Sequence, residues 1–176
     1  FIIDHLIERK ESELQSGRSS RYRVNIGLID DAKKCEYIGQ ELADKIMFDP
    51  PIQPTLIFGV ADKGIGLKHN IIRSINSSPW YKNLRFANDR KFPKGHGEGT
   101  NTENLQDKYI IGARISSDDI IILTNDTITT GGSLSRVIKL IKKIEPKAQI
   151  PCAAILYDRQ EVNLDGNDAL KAFENV

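Results

Sequence analysis

Nothing in these 176 residues approaches the apolar length of a membrane-spanning helix, which excludes a helical membrane span, and no secretory signal pattern is visible. The two cysteines, Cys35 and Cys152, stand far apart, with neither metal-ligand spacing nor a disulfide framework. That excludes a zinc ribbon and a disulfide-stapled scaffold, makes a reducing cytoplasm the expected location, and leaves both thiols as small buried residues. Charge of one sign is missing too: 25 Lys and Arg balance 24 Asp and Glu, for a net +1. A surface built for nonspecific binding of nucleic acid or anionic lipid would be strongly basic, so neither partner is expected. There is no internal repeat and no low-complexity linker, and the length suits one α/β domain.

What is present is most informative between Ile120 and Ser133, in Ile120-Ile-Ile-Leu-Thr-Asn-Asp-Thr-Ile-Thr-Thr-Gly-Gly-Ser133. An apolar strand ends in the polar pair Asn125 and Asp126, then in a turn of hydroxyls and glycines. A helix follows, striped by Leu134, Val137, Ile138 and Ile141. Small residues let backbone N–H groups converge at a helix N-terminus, an arrangement that binds a phosphate monoester. The carboxylate just before the turn can hold sugar hydroxyls, so the segment reads as a ribose-5-phosphate cradle. No Gly-Lys-Ser/Thr closes it, which excludes a Walker loop. The alternative is an ordinary strand-to-helix connection.

Periodicity and turn residues predict a helix over residues 1–10 and an alternating strand over Tyr22 to Leu28. A helix is expected from Ala32 to Met47, ended by Pro50, Pro51 and Pro54. Strands are predicted over Thr55 to Gly59, Leu84 to Ala87, Tyr109 to Ala113, Ile120 to Leu123 and Ala153 to Tyr157, with helices ending at about Ile75 and spanning Ser133 to Ile144. Residues 89–108 are long, polar and without apolar period, which marks a functional loop. Strand and helix alternate from residue 55, so the expected fold class is α/β, a mostly parallel twisted sheet flanked by helices. Ligands of such sheets sit beyond the carboxyl ends of the strands. Those ends carry Lys63, Arg90, Lys91, Asn125, Asp126 and Arg159, and their convergence predicts one site.

In Asp89-Arg-Lys-Phe-Pro-Lys-Gly-His-Gly-Glu-Gly99 four cationic or potentially cationic residues, Arg90, Lys91, Lys94 and His96, share a loop with Glu98 and three glycines. Such a loop can open for entry and then fold over a polyanion, excluding water. The alternative is a solvated charged loop. Lys63, followed by Gly64, suits a diphosphate oxygen or is a surface lysine in a turn. Arg159 either makes a bidentate contact to a carboxylate or imide edge, or pairs with Asp158 or Glu161.

With Leu14-Gln-Ser-Gly-Arg-Ser-Ser-Arg-Tyr22, Phe58-Gly-Val-Ala-Asp-Lys-Gly-Ile65, the His-Gly-Glu-Gly loop, the phosphate turn and Asp158-Arg-Gln-Glu161 in order, the chain resembles orotate phosphoribosyltransferases of the type I phosphoribosyltransferase fold. The resemblance implies one domain over residues 1–176, with an N-terminal hood at 1–30 and a core at 31–176 carrying a mobile loop at 89–108. It implies transfer of ribose 5-phosphate from 5-phosphoribosyl 1-diphosphate (PRPP) to orotate in pyrimidine biosynthesis. Thr127, Ile128, Thr129, Thr130, Gly131, Gly132 and Ser133 would bind the 5-phosphate, Asn125 and Asp126 the ribose hydroxyls, and Lys63, Arg90, Lys91, Lys94 and His96 the diphosphate. Thr129, Arg159, Arg23, Val24 and Gln15 fall at base-binding positions. The catalytic set would be Lys94, Asp126 and Glu98, with Glu98 positioning the loop rather than moving a proton. Mg²⁺ would be held mainly through PRPP, with no protein metal site, and a homodimer would share the loop between subunits.

The departures fall at Asn125, where the family has a second acidic residue, at Gln15 for its lysine, at Arg23-Val24 for its aromatic pair, at Arg21 for its proline and at Asp62 for its tyrosine. Three functions therefore stay open: an orotate phosphoribosyltransferase, a phosphoribosyltransferase with another nucleobase-like acceptor, and a non-catalytic sensor of a phosphoribosyl ligand.

Overall fold

In strand β5 (Leu56–Gly59), Leu56 and Phe58 face one side of the sheet and Ile57 the other, because successive side chains of a strand point oppositely. Strand β8 (Ile120–Ile128) repeats the pattern: Ile121 and Leu123 join the first layer, Ile122 the second. Helix α4 (Gly132–Ile144) covers the first layer with Leu134, Val137, Ile138 and Ile141. Helices α1 (Ala32–Phe48) and α2 (Gly64–Ile75) cover the second with Ile38, Leu42 and Ile46 and with Leu67, Ile71 and Ile75. Each such aliphatic side chain contributes roughly 1.5–3 kcal/mol when fully buried. The computed structural model describes residues 6–13, 19–48, 53–75, 83–94 and 103–161.

The sheet is completed by β6 (Arg85–Asp89), β7 (Ile110–Gly112) and β9 (Gln149–Asp158), in the order β7-β6-β5-β8-β9. Its four pairings are parallel except for β6 with β7. This is the mostly parallel, helix-flanked α/β sheet that the sequence predicts, and it brings the carboxyl ends of β5, β6, β8 and β9 to one edge.

Several local expectations need correction. Residues 7 and 8 of the expected first helix form β1 (Ile7–Glu8), paired antiparallel with β4 (Arg23–Val24), and a second ribbon pairs β2 (Ser12–Glu13) with β3 (Ser19–Ser20). The expected strand over Tyr22 to Leu28 stops after Val24. There the Asn25 side chain accepts from the Gly27 N–H and nucleates a 3₁₀ turn over Ile26–Leu28. The far end of the 89–108 loop is a short helix, α3 (Leu105–Tyr109), capped by Asn104, whose side chain accepts from the Gln106 N–H. Strand β8 runs past Asn125 and Asp126 to Ile128, because β9 keeps pairing with it that far. Both cysteines are half-buried rather than buried.

At the opposite edge of the sheet, Asp119 is a buried carboxylate that ties together the starts of β5, β6 and β8. It accepts from Thr55 Oγ1 at 2.6 Å, from the Ser116 N–H at 2.8 Å and from the Arg85 guanidinium. Burial alone pushes its carboxyl up, but these hydrogen bonds and the Arg85 charge together hold it below the usual range. A depressed folded pKa gives stability that is present above the unfolded pKa and lost as pH falls through the folded one. Asp119→Ala is therefore expected to cost about 1.5–3 kcal/mol at neutral pH, by removing the charged acceptor that Thr55, Ser116 and Arg85 share. Urea titrations from pH 7 down to pH 2 check this: the gap between wild type and variant should shrink as pH falls.

Candidate active site

The turn after β5 is clamped to its neighbours before any ligand arrives. Val60 N–H donates to the Thr124 carbonyl at 2.9 Å, Ala61 N–H to Asp89 Oδ1 at 2.7 Å, and Thr124 Oγ1 to the Gly64 carbonyl at 3.0 Å. A Cβ on Gly64 would collide with the Thr124 carbonyl oxygen, so only glycine lets the turn lie this close to β8. The Ala61–Asp62 peptide is cis. Lys63 reaches across to Asp126, Nζ to Oδ2 3.5 Å, and Asp62 meets Lys91 at 3.3 Å. Three of the four expected strand ends are thus joined by direct contacts.

The end of β6, read from the sequence as one of four polar strand ends, is organised with help from Lys68 and Arg136, to which sequence reasoning gives no role. Asp89 has a fully buried side chain, with Arg136 of α4 2.7 Å from its Oδ2. Beside it Lys68, 1% exposed, donates to Asn88 Oδ1 at 2.8 Å and lies 5.2 Å from the centre of the Phe86 ring. Burial pushes the Lys68 ammonium below its ordinary value. Asn88 in turn donates to the Asp89 carbonyl at 3.1 Å, so the buried polar group braces the strand end. The local signal of this arrangement is a short strand whose apolar Phe86-Ala87 pair gives way to Asn88-Asp89.

Arg90 and Lys94 begin the loop on a hydrogen-bonded stem: Arg90 N–H donates to the Tyr109 carbonyl at 2.7 Å and Lys94 N–H to that of Lys108 at 3.0 Å. The Nε of Arg90 is buried with no hydrogen-bond partner, a state that a bound anion would relieve. His96 and Glu98 lie outside the described residues, as does Gln15.

The turn between β8 and α4 spans residues 129–131. Gly131 caps α4 at φ 77°, in the left-handed region, and no side chain caps the helix, which leaves its first N–H groups for a ligand. A cavity of about 30 Å³ opens there, lined by Asn125 and by residues 127–129 and 131–134; Thr130 is half-buried beside it. The Asn125 amide is engaged locally: Nδ2 donates to the Thr127 carbonyl and Oδ1 accepts from the Asp126 N–H, both at 3.1 Å. Asp126 is the buried carboxylate of this turn, and Thr127 Oγ1 donates to it at 3.5 Å.

On the hood side Arg23 pairs with Glu8 at 2.6 Å, and Asn25 donates to the same carboxylate at 2.7 Å. Those hydrogen bonds, Asn25's first, hold the Glu8 carboxyl below its ordinary value. Arg159 pairs with the buried Glu161 at 2.9 Å, and Val24 is half-buried. Tyr157 donates to the Tyr22 hydroxyl at 3.4 Å; burial, then that bond, push its phenol up to about 12. These two tyrosines line a cavity of about 420 Å³ with Ile7, Arg9 and Arg21, a lining that sequence reasoning did not anticipate. Another cavity, of about 300 Å³, lies between the N-terminal half of α1 and the C-terminal half of α2, and holds none of the candidate residues.

The phosphoribosyl transferase domain family matches residues 26–176. The orotate phosphoribosyltransferase of Kluyveromyces lactis is 32% identical over 170 residues, 94% of this chain and 70% of that protein. That of Chromohalobacter salexigens is 33% identical over 173 residues, 98% of this chain and 68% of that protein. The solved orotate phosphoribosyltransferase of Francisella tularensis shares the fold, with a TM-score of 0.71 at 24% identity over 99% of this chain and 77% of that one. With identity at this level over nearly its whole length, the chain belongs to the orotate phosphoribosyltransferases of the phosphoribosyl transferase domain family.

Proposed function

We propose that the protein transfers ribose 5-phosphate from PRPP to orotate, releasing diphosphate and forming orotidine 5'-monophosphate for pyrimidine biosynthesis. The observation that carries this reading is the Lys63–Asp126 pair at 3.5 Å, which sets a cation and an anion side by side between two strand ends. Without substrate the two satisfy each other; PRPP would replace both partners at once. Its diphosphate takes Lys63 and Lys91, its ribose hydroxyls take Asp126, and its 5-phosphate occupies the turn below Gly131. Departure of diphosphate leaves an oxocarbenium-like sugar, so catalysis rests on charge already in place around the leaving group. Arg90, Lys91 and Lys94 supply that charge, with His96 as a further diphosphate contact and Glu98 positioning the loop.

The donor set fits Mg²⁺ held through substrate. Asp126 is the one carboxylate of the phosphate turn. A hard cation that keeps most of its waters would draw on PRPP oxygens and Asp126, and would supply charge neutralisation of the diphosphate. Asn125, its amide committed to the backbone, fits a structural role better than a ligand's. We assign residues 1–176 to one domain, place the protein in the cytoplasm, and expect a homodimer whose loops serve each other's sites. Among the described residues no helix is long and apolar enough to cross a membrane.

The test mixes protein, PRPP and Mg²⁺ with a panel of nucleobases and detects diphosphate. Release with orotate alone is expected. Release with another base would reassign the acceptor, and PRPP binding without release in any mixture would make the protein a sensor.

A further inference from the structure

Four arginines approach the hood side of the site, and they divide into two pairs. Arg23 is neutralised by Glu8 at 2.6 Å and Arg159 by the buried Glu161 at 2.9 Å. Arg9 and Arg21 have no carboxylate within ion-pair distance among the described residues, yet both line the 420 Å³ cavity. The other walls are Ile7 and the phenols Tyr22 and Tyr157. In the β8–β9 ladder Tyr157 stands opposite Thr127, which itself lines the phosphate turn. The cavity is therefore one strand away from the ribose-phosphate cradle.

The hollow is open, and its volume falls within the range of small-molecule sites, so a planar ring can enter it with space left over. Two arginines without a carboxylate partner among the lining residues favour an anion, and a guanidinium can grip a carboxylate bidentately, while the tyrosines offer rings for a planar ligand to pack against. We propose that Arg9 and Arg21 are specificity-determining residues that hold the carboxylate of the acceptor base, in a pocket walled by Tyr22 and Tyr157. This rests on the transferase reading and deepens it. It explains how an acceptor anion is recognised although Gln15 carries no charge and the arginines at 23 and 159 are already paired.

The test compares wild type, Arg21→Ala and the Arg9→Ala/Arg21→Ala double variant. Orotate and uracil, which differ by the carboxylate, are titrated calorimetrically with Mg²⁺ and ribose 5-phosphate present, and PRPP is titrated separately. The expected result is orotate affinity lowered by about 10- to 100-fold in the double variant, with uracil and PRPP affinities unchanged. Both arginines are exposed, so the melting temperature should hold. Equal orotate affinity in all three proteins would overturn the assignment and leave the transferase reading standing. A wild type that binds PRPP but prefers uracil would overturn the assignment and the acceptor together. A folded wild type that binds no PRPP would remove the transferase reading, and this pocket's role with it.

Discussion

Lys94→Ala is expected to lower kcat with orotate and PRPP by about 10²- to 10³-fold, the loss typical of removing one preorganised group from a developing charge. Affinity for ribose 5-phosphate, which has no leaving group, should change by no more than about two-fold. The Lys94 backbone N–H donates to the Lys108 carbonyl at 3.0 Å, a bond that alanine keeps, so the stem of the loop stays closed while the ammonium is lost. Negative charge grows on the diphosphate only as the bond to the anomeric carbon breaks. A cation facing that charge stabilises the transition state more than the ground state, and the damage falls on kcat rather than on binding. Lys94→Arg, which keeps the charge, should recover a large part of the rate. Steady-state kinetics together with calorimetry of ribose 5-phosphate decide it, and equal losses in rate and affinity would reduce Lys94 to a binding residue.

The parts of this molecule that the sequence announces are those repeated over many residues. Leu56 to Phe58 and Ile121 to Leu123 are apolar without interruption because both faces of a parallel sheet are covered, and the α4 stripe repeats over about two turns, from Leu134 to Ile141. The hood escapes because its strands are two residues long, too short for any period to register. Helix α3 escapes for a related reason: a single turn owes its existence to the Asn104 cap rather than to an apolar face.

At the site the distinction is between position and direction. Lys63, Asp126 and the phosphate turn are legible because strand-end chemistry places them. That Arg23 turns to Glu8, fifteen positions away, is a tertiary choice that no local pattern marks. For Arg159 the sequence leaves an ion pair with Glu161 as one of its alternatives, and the coordinates show that pair formed. Asp89 opens the cationic loop segment, but its pairing with Arg136 is missed because that partnership spans β6 and α4.

Asp126→Asn is expected to lower kcat/KM for PRPP by about 100-fold, the upper end for losing a charged hydrogen-bond acceptor. The amide keeps the shape of the side chain, so the melting temperature should move little; the lost partner, Lys63, is largely exposed and its pair carries little stability. The sharper experiment exchanges neighbours, in Asn125→Asp/Asp126→Asn. Total charge is then restored one residue away. If net charge were all that mattered, activity would return. The geometry argues otherwise, because Asn125 Nδ2 donates to the Thr127 carbonyl at 3.1 Å, and an aspartate there would face that carbonyl with oxygen against oxygen. The exchanged protein should therefore stay as slow as Asp126→Asn and lose about 1–3 kcal/mol of stability as well, from a buried acceptor left unpaired. Diphosphate release and urea unfolding measure both effects. Recovery of activity to within a few-fold of wild type would mean that the turn reorganises around the moved charge, and that the amide at 125 does not hold it in place.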